Sequence, residues 1–288
     1  MTHKLYGAFV VTLVAVVGWG FVHETHGVRG LLRAPWDARW PIWLAMVPWL
    51  AALLLVRSVK AELRRRGDFS RALEPGMVAM ADGDAARAAE VFASVANARG
   101  GQQPDAILSA RACEATARLA CGQFDEAERL LVAVEAAAGG AILLPFALAA
   151  TCERALIAAL RGKLEDAQKL SEATMKRFAT ALEAPTVVKQ RLALVNAIIA
   201  ARTDRAADAL RVLESRWPMI VQGGGSTLRL AVLVRGLLAA STSGPRDAAH
   251  ADRWIAAARA LGAEAALPLT SEWPAMTTFA RASGLRGA

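Results

Sequence analysis

Few residues in this chain are of types that do chemistry, and their spacing excludes most of it. His23-Glu24-Thr25-His26 is a histidine pair without the four-residue interval that sets two imidazoles on one helical face around zinc. It reads as a solvated loop. Cys113, Cys121 and Cys152 are odd in number, form no CxxC and have no histidine nearby, so neither a disulfide framework nor a zinc site fits. They read as small buried residues of a reducing compartment. Gln222-Gly-Gly-Gly-Ser-Thr227 precedes a helical run, and glycine-rich turns at helix N-termini can hold phosphate. No strand precedes it and no lysine follows, so it reads as a linker. His250 stands alone on a polar stretch. With no GxSxG, Cys–His pair or carboxylate constellation, the expectation is a protein that is no enzyme and carries no cofactor or metal.

What remains is charge and its placement. Lys and Arg number 34 against 26 Asp and Glu, a formal net charge of +8. Residues 1–66 hold nine of the basic residues and only three acidic ones, so the excess sits mainly in the N-terminal segment. A basic nucleic-acid-binding face is therefore not needed to explain it. Trp40–Val56 is almost wholly apolar and is followed by Arg57, Lys60, Arg64, Arg65 and Arg66. An apolar run approaching ~20 residues can cross a bilayer, and a basic exit is held on the cytoplasmic side by anionic lipid.

Leu5–Val22 is a second apolar run behind Lys4. Charge followed by an apolar core also suits a signal peptide, but the run is long and no small-x-small site follows. The expectation is a retained hairpin of two transmembrane helices, about 5–22 and 40–56, with Arg29, Arg33 and Arg39 in a short outer loop. The basic bias then places both termini in the cytoplasm. Five of the eight tryptophans fall within the first fifty residues, as in an interfacial belt.

From about Ser70 the text becomes alanine-rich and periodic. Gly83, Gly122, Gly162, Asp204 and Gly244 recur at spacings of about 40, and each has Ala five residues on. Apolar residues at offsets of two, five and nine share a helical face, as in Ala85, Ala88 and Phe92 or Phe124, Ala127 and Leu131. Pro104, Pro145, Pro185 and Ser226 recur at a similar period, and proline and serine suit helix starts. The unit is helix A, tight turn, helix B, loop. The reading is all-α: a membrane hairpin over 1–66, an α-solenoid of about five helical hairpins over 67–263, and a capping helix and tail over 264–288. Ser271–Ser283, with Trp273, Met276 and Phe279, supplies the cap that an end repeat needs.

Gly122-Gln-Phe-Asp-Glu-Ala127 and Gly162-Lys-Leu-Glu-Asp-Ala167 resemble the inter-helix turn of tetratricopeptide (TPR) repeats. The period of about 40 exceeds the usual 34, and the consensus aromatics of helix A are largely missing. Two N-terminal spans, a basic exit and TPR-like helices are also similar in layout to the HemY family of bacterial inner-membrane proteins. The resemblance implies a membrane-anchored scaffold that recruits protein partners along a cytoplasmic groove lined by A helices. The alternative is an assembly subunit that meets its partners through the transmembrane pair, and a haem-handling protein would rest on layout alone. Candidate groove residues are Arg111, Glu114, Arg118, Arg154, Lys189, Arg191, Asn196, Arg229 and Arg235. Their basic excess suits an acidic segment or a C-terminal carboxylate. Arg111, Glu114 and Arg118 share a face and can instead pair with one another. Read as exposed, Arg154 and Arg191 are expected to tolerate charge reversal without loss of fold.

Overall fold

The computed structural model describes residues 57–58, 67–98, 104–138, 144–179, 186–241 and 245–285. The two expected membrane spans, the His23–His26 tract, Lys60, Arg64, Arg65, Arg66 and Gly244 lie outside the described residues, and so does the part of the chain that carries the HemY-like layout. Among the described residues no helix is long and apolar enough to cross a membrane. Contacts divide the chain into Met1–Ser70 and Arg71–Ala288. In the first unit residues 57–58 and 67–70 are helical, with Arg57 exposed.

The second unit is a succession of antiparallel helix pairs. Its elements are α1 (71–82), α2 (Ala85–Asn97), α3 (Pro104–Ala120), α4 (Phe124–Ala137), α5 (Leu144–Leu160) and α6 (Leu164–Ala179). These are followed by α7 (Thr186–Arg202), α8 (Ala206–Gly223), α9 (Gly225–Ser241), α10 (Pro245–Ala260), a 3-10 segment (Ala263–Thr270) and α11 (Pro274–Ala282). Neighbours in sequence pack against each other, and α3, α5, α7 and α9 also pack in series.

The tight turns follow from backbone chemistry. Gly83, Gly122, Gly162 and Asp204 all have positive φ, the left-handed conformation that ends a helix. In each, the amide after the turn residue reaches back five positions: Asp84 to Ala79, Gln123 to Arg118, Lys163 to Ala158 and Arg205 to Ala200. That bond occupies a carbonyl the helix end leaves open and aims the chain into helix B. Asp84 also caps α2, its carboxylate accepting from the Arg87 amide.

Helix B presents its stripe at once. Ala88, Phe92, Phe124, Ala127, Leu131, Ala167, Ala209 and Leu213 are all buried. The A helices α7 and α9 are buried on nearly every side, being flanked by their own B helix and by neighbouring A helices.

The C-terminal segment departs from a simple end cap. It runs back across the A-to-B turns in order. Ala265 lies against Gly83, Pro268 against Gly122, Glu272 beside Arg161, and Trp273 under Arg202. Residues 263–273 thus form a strap over four successive turns. Trp273, Met276 and Phe279 are buried as expected of cap residues. Phe279 reaches Gly236 of α9, where a β-carbon would lie 2.8 Å from its Cζ, so only glycine admits this approach.

Candidate interaction surface

The structure places the nine groove candidates in different settings. Glu114 is buried, with Arg118 Nε 3.7 Å from its carboxylate, and Arg118 Nη1 donates to Gln123 Oε1 at 3.0 Å. Burial pushes the Glu114 carboxyl up, partly offset by Arg118 and Arg111. The three side chains on this face thus attend to one another.

Arg154 is half-buried rather than exposed. Its Nη1 donates to Glu135 Oε2 at 2.6 Å, and Arg177 approaches the other oxygen at 3.5 Å. This ties α5 and α6 to the preceding helix α4. Arg191 is 6% exposed. Its Nε donates to Glu153 Oε1 at 2.7 Å and its Nη2 to Ser226 Oγ at 3.1 Å, so it joins α5, α7 and α9. The expectation that Arg191 is exposed and that its charge can be reversed without loss of fold is corrected here. A long apolar A helix puts even its basic residues inside the stack, where charge must be paired.

Arg235 is also structural. Its guanidinium carbon lies 4.8 Å from the Trp217 ring and 4.3 Å from the Trp254 ring, and Nη2 donates to Glu214 at 3.1 Å. Desolvation lowers its pKa. The two indoles meet edge to face at 5.2 Å. Lys189 and Asn196 are exposed, and Asn196 Oδ1 accepts from Ser171 Oγ at 3.2 Å. Of the nine, Arg229 lines the concave face, its Nε donating to Leu261 O at 3.1 Å and its Nη2 to Ala81 O at 3.4 Å.

On that concave face the A helices, Ala85 and Phe92 of α2, Leu131 of α4 and the strap surround a cavity of about 640 Å³. Its lining is mainly apolar, with Met77, Phe92, Cys113, Phe146 and Leu269 among the larger side chains. Met77 and Val187, both lining residues, are 56% and 55% exposed and mark an apolar rim. Sequence periodicity located the A helices but not this cavity, because the strap that helps enclose it follows the α1–α5 part of its wall by over 100 residues. The one sequence signal was the glycine-rich tract, which delivers Gly225 and Ser226 to the cavity wall.

The cysteines are unpaired. Burial raises all three thiols, most strongly Cys152, where Glu153 adds to the effect. Among the described residues no group of three His, Cys, Asp or Glu side chains is placed to hold a metal.

The hairpins, their turns and their stacked first helices define an all-α array of TPR-like repeats. No family model matches the chain, and no curated protein matches it. Two solved structures are similar to it: a Podosopora anserina putative kinesin light chain with nearly identical TPR-like repeats, and a form of that protein carrying one substitution. Each is 19% identical and covers 68% of this chain. The unsubstituted form is covered over 96% of its own length with a TM-score of 0.39. The substituted form is covered over 95% with a TM-score of 0.40.

Proposed function

We propose that the protein is a membrane-anchored scaffold that holds other proteins against its helical array. The concave face carries this reading, because stacked A helices leave an apolar rim at Met77 and Val187 that a protein element can cover. Anchoring rests on the sequence: the apolar runs at 5–22 and 40–56, and the basic exit of Arg57, Lys60, Arg64, Arg65 and Arg66 facing anionic lipid. The array and both termini then lie on the cytoplasmic side of a bacterial inner membrane. Partners of acidic character fit the basic excess on the A helices, on which Lys189 is exposed.

A photocrosslinking amino acid placed at Val187, and separately at Trp49, tests this in the full chain in native membranes. The scaffold reading expects a discrete protein adduct from position 187. Adducts from position 49 alone would replace it with the assembly-subunit reading, in which the transmembrane pair makes the contacts. Reporter fusions after Arg71 and at Ala288 check the orientation, and periplasmic phosphatase activity at either point would overturn it.

A further inference from the structure

The first hairpin stands apart from the rest of the array in its packing. Ala79 of α1 and Ala88, Ala89 and Phe92 of α2 form a small apolar cluster with Ala117 of α3, and Leu73, Met80 and Cys113 pack against it. The main core is a separate cluster that starts at Leu108 of α3 and runs on to Leu285. Within the hairpin the two helices are tightly joined, since a β-carbon on Gly76 would lie 2.5 Å from the Phe92 ring. The pair is therefore built to move as one piece, with α3 as the support it shares with the main core.

From the other side the hairpin is held lightly. Arg229 of α9 donates from Nε to Leu261 O at 3.1 Å and from Nη2 to Ala81 O at 3.4 Å, the latter across 148 positions of sequence. The shorter bond keeps the guanidinium on the α9–α10 side, and the longer one crosses to α1. Both acceptors are carbonyls at helix C-terminal ends, where a cation is favoured. The strap meets this hairpin at Ala265, beside Gly83, with no more than a methyl group. The cavity lies between, walled by Met77, Met80, Ala81 and Phe92 of the hairpin and by Ser226 and Arg229 of α9. An empty apolar space leaves its lining atoms short of partners, so little packing is lost when one wall moves. We propose that α1–α2 is a gate that swings on α3, is latched to α9 by Arg229, and opens the cavity to an incoming protein element. The opening itself stands apart from the scaffold reading, and only what enters through it rests on that reading.

The native cysteines report the opening in the full chain in nanodiscs. Cys113 lies where the hairpin cluster meets the cavity, whereas Cys152 is 1% exposed and packs with Val188 and Leu192 of α7. A bulky maleimide is applied at one pH and each site is quantified by mass spectrometry. It should label Cys113 about fivefold faster in Arg229→Met, the change expected when one hydrogen bond to a charged group is lost. Cys152 should keep its parent rate, and Arg229→Lys, which retains a charged donor, should return Cys113 towards the parent. Spin labels on keto-bearing residues at the exposed positions Glu90 and Arg216 give a second measurement that uses no cysteine. Double electron–electron resonance should find two separations in the parent, the longer one gaining in Arg229→Met. If Arg229→Met does not fold, the separations in the parent decide. A Cys113 rate that Arg229→Met leaves unchanged, or that rises in step with Cys152, overturns the gate, as does a single separation in the parent. A protein adduct at Val187 with Cys113 silent would keep the scaffold and end the gate.

Discussion

Arg161 Nε donates to Glu272 Oε2 at 3.1 Å, joining the turn at Gly162 to a residue 111 positions further along the chain. The same guanidinium donates to Asp125 Oδ1 at 2.7 Å and lies 5.8 Å from the centre of the Phe124 ring. One side chain therefore spans the second hairpin, the third turn and the strap. Geometry alone does not rank these contacts, but burial does. Glu272 is partly exposed, whereas Trp273 next to it is buried. Glu272→Ala should cost less than ~1 kcal/mol, as for exposed pairs. Trp273→Ala should cost ~3–5 kcal/mol by chemical denaturation. Equal losses would mean that charge rather than packing holds the strap.

Phe124→Ala tests the turn register. Phe124 is 4% exposed at the start of α4, two residues beyond Gly122. A loss of ~3–5 kcal/mol is expected if the space does not collapse. A loss under ~1 kcal/mol would place the ring at the surface.

The Glu153–Arg191 pair lies inside the stack, so removing one partner strands the other. Arg191→Glu should destabilise by ~3–5 kcal/mol or more, because it sets two buried carboxylates together. Arg191→Met with Glu153→Leu should recover much of that loss. A reversal that leaves the melting temperature unchanged would show the pair to be solvated.

Glu114 gives a pH signature of defined sign. Its carboxyl is raised in the folded protein, chiefly by burial, so the folded state holds the proton more tightly than the unfolded state. Its contribution to stability is therefore full below the ordinary carboxylate value and is lost as pH rises through the raised one. Glu114→Gln should remove that decline. The melting temperature of the variant relative to the parent should climb as pH rises from the ordinary carboxylate value through the raised one. A difference that stays constant as pH rises above the ordinary carboxylate value would reject the assignment.

Much of the array was legible from local chemistry. Glycine at a left-handed helix end and alanine five residues later are short-range requirements, so the turns at Gly83, Gly122 and Gly162 could be read directly. Asp204 was found by its period and by Ala209 five residues on, and it adopts the same positive φ without being glycine. The environment of the basic residues was not legible. Arg154, Arg191 and Arg235 read as a polar face, but their settings depend on Glu135, Glu153 and two tryptophans supplied by other helices. The strap was missed for the same reason. Trp273, Met276 and Phe279 announced an apolar helix, but nothing in their spacing named the turns they would meet.

The strap changes how the array must fold. In an open solenoid each repeat answers only to its neighbours, and hairpins can be added or lost from an end one at a time. Here the turns at Gly83, Gly122 and Gly162 rest on residues that follow the described hairpins. During synthesis those turns form long before residues 263–273 leave the ribosome. Their partners Ala265, Pro268 and Glu272 arrive much later, and closing such long loops is slow. The early hairpins are therefore provisional until residues 263–273 dock, and loss of that segment is felt at the turn of Gly83 as well as at α9.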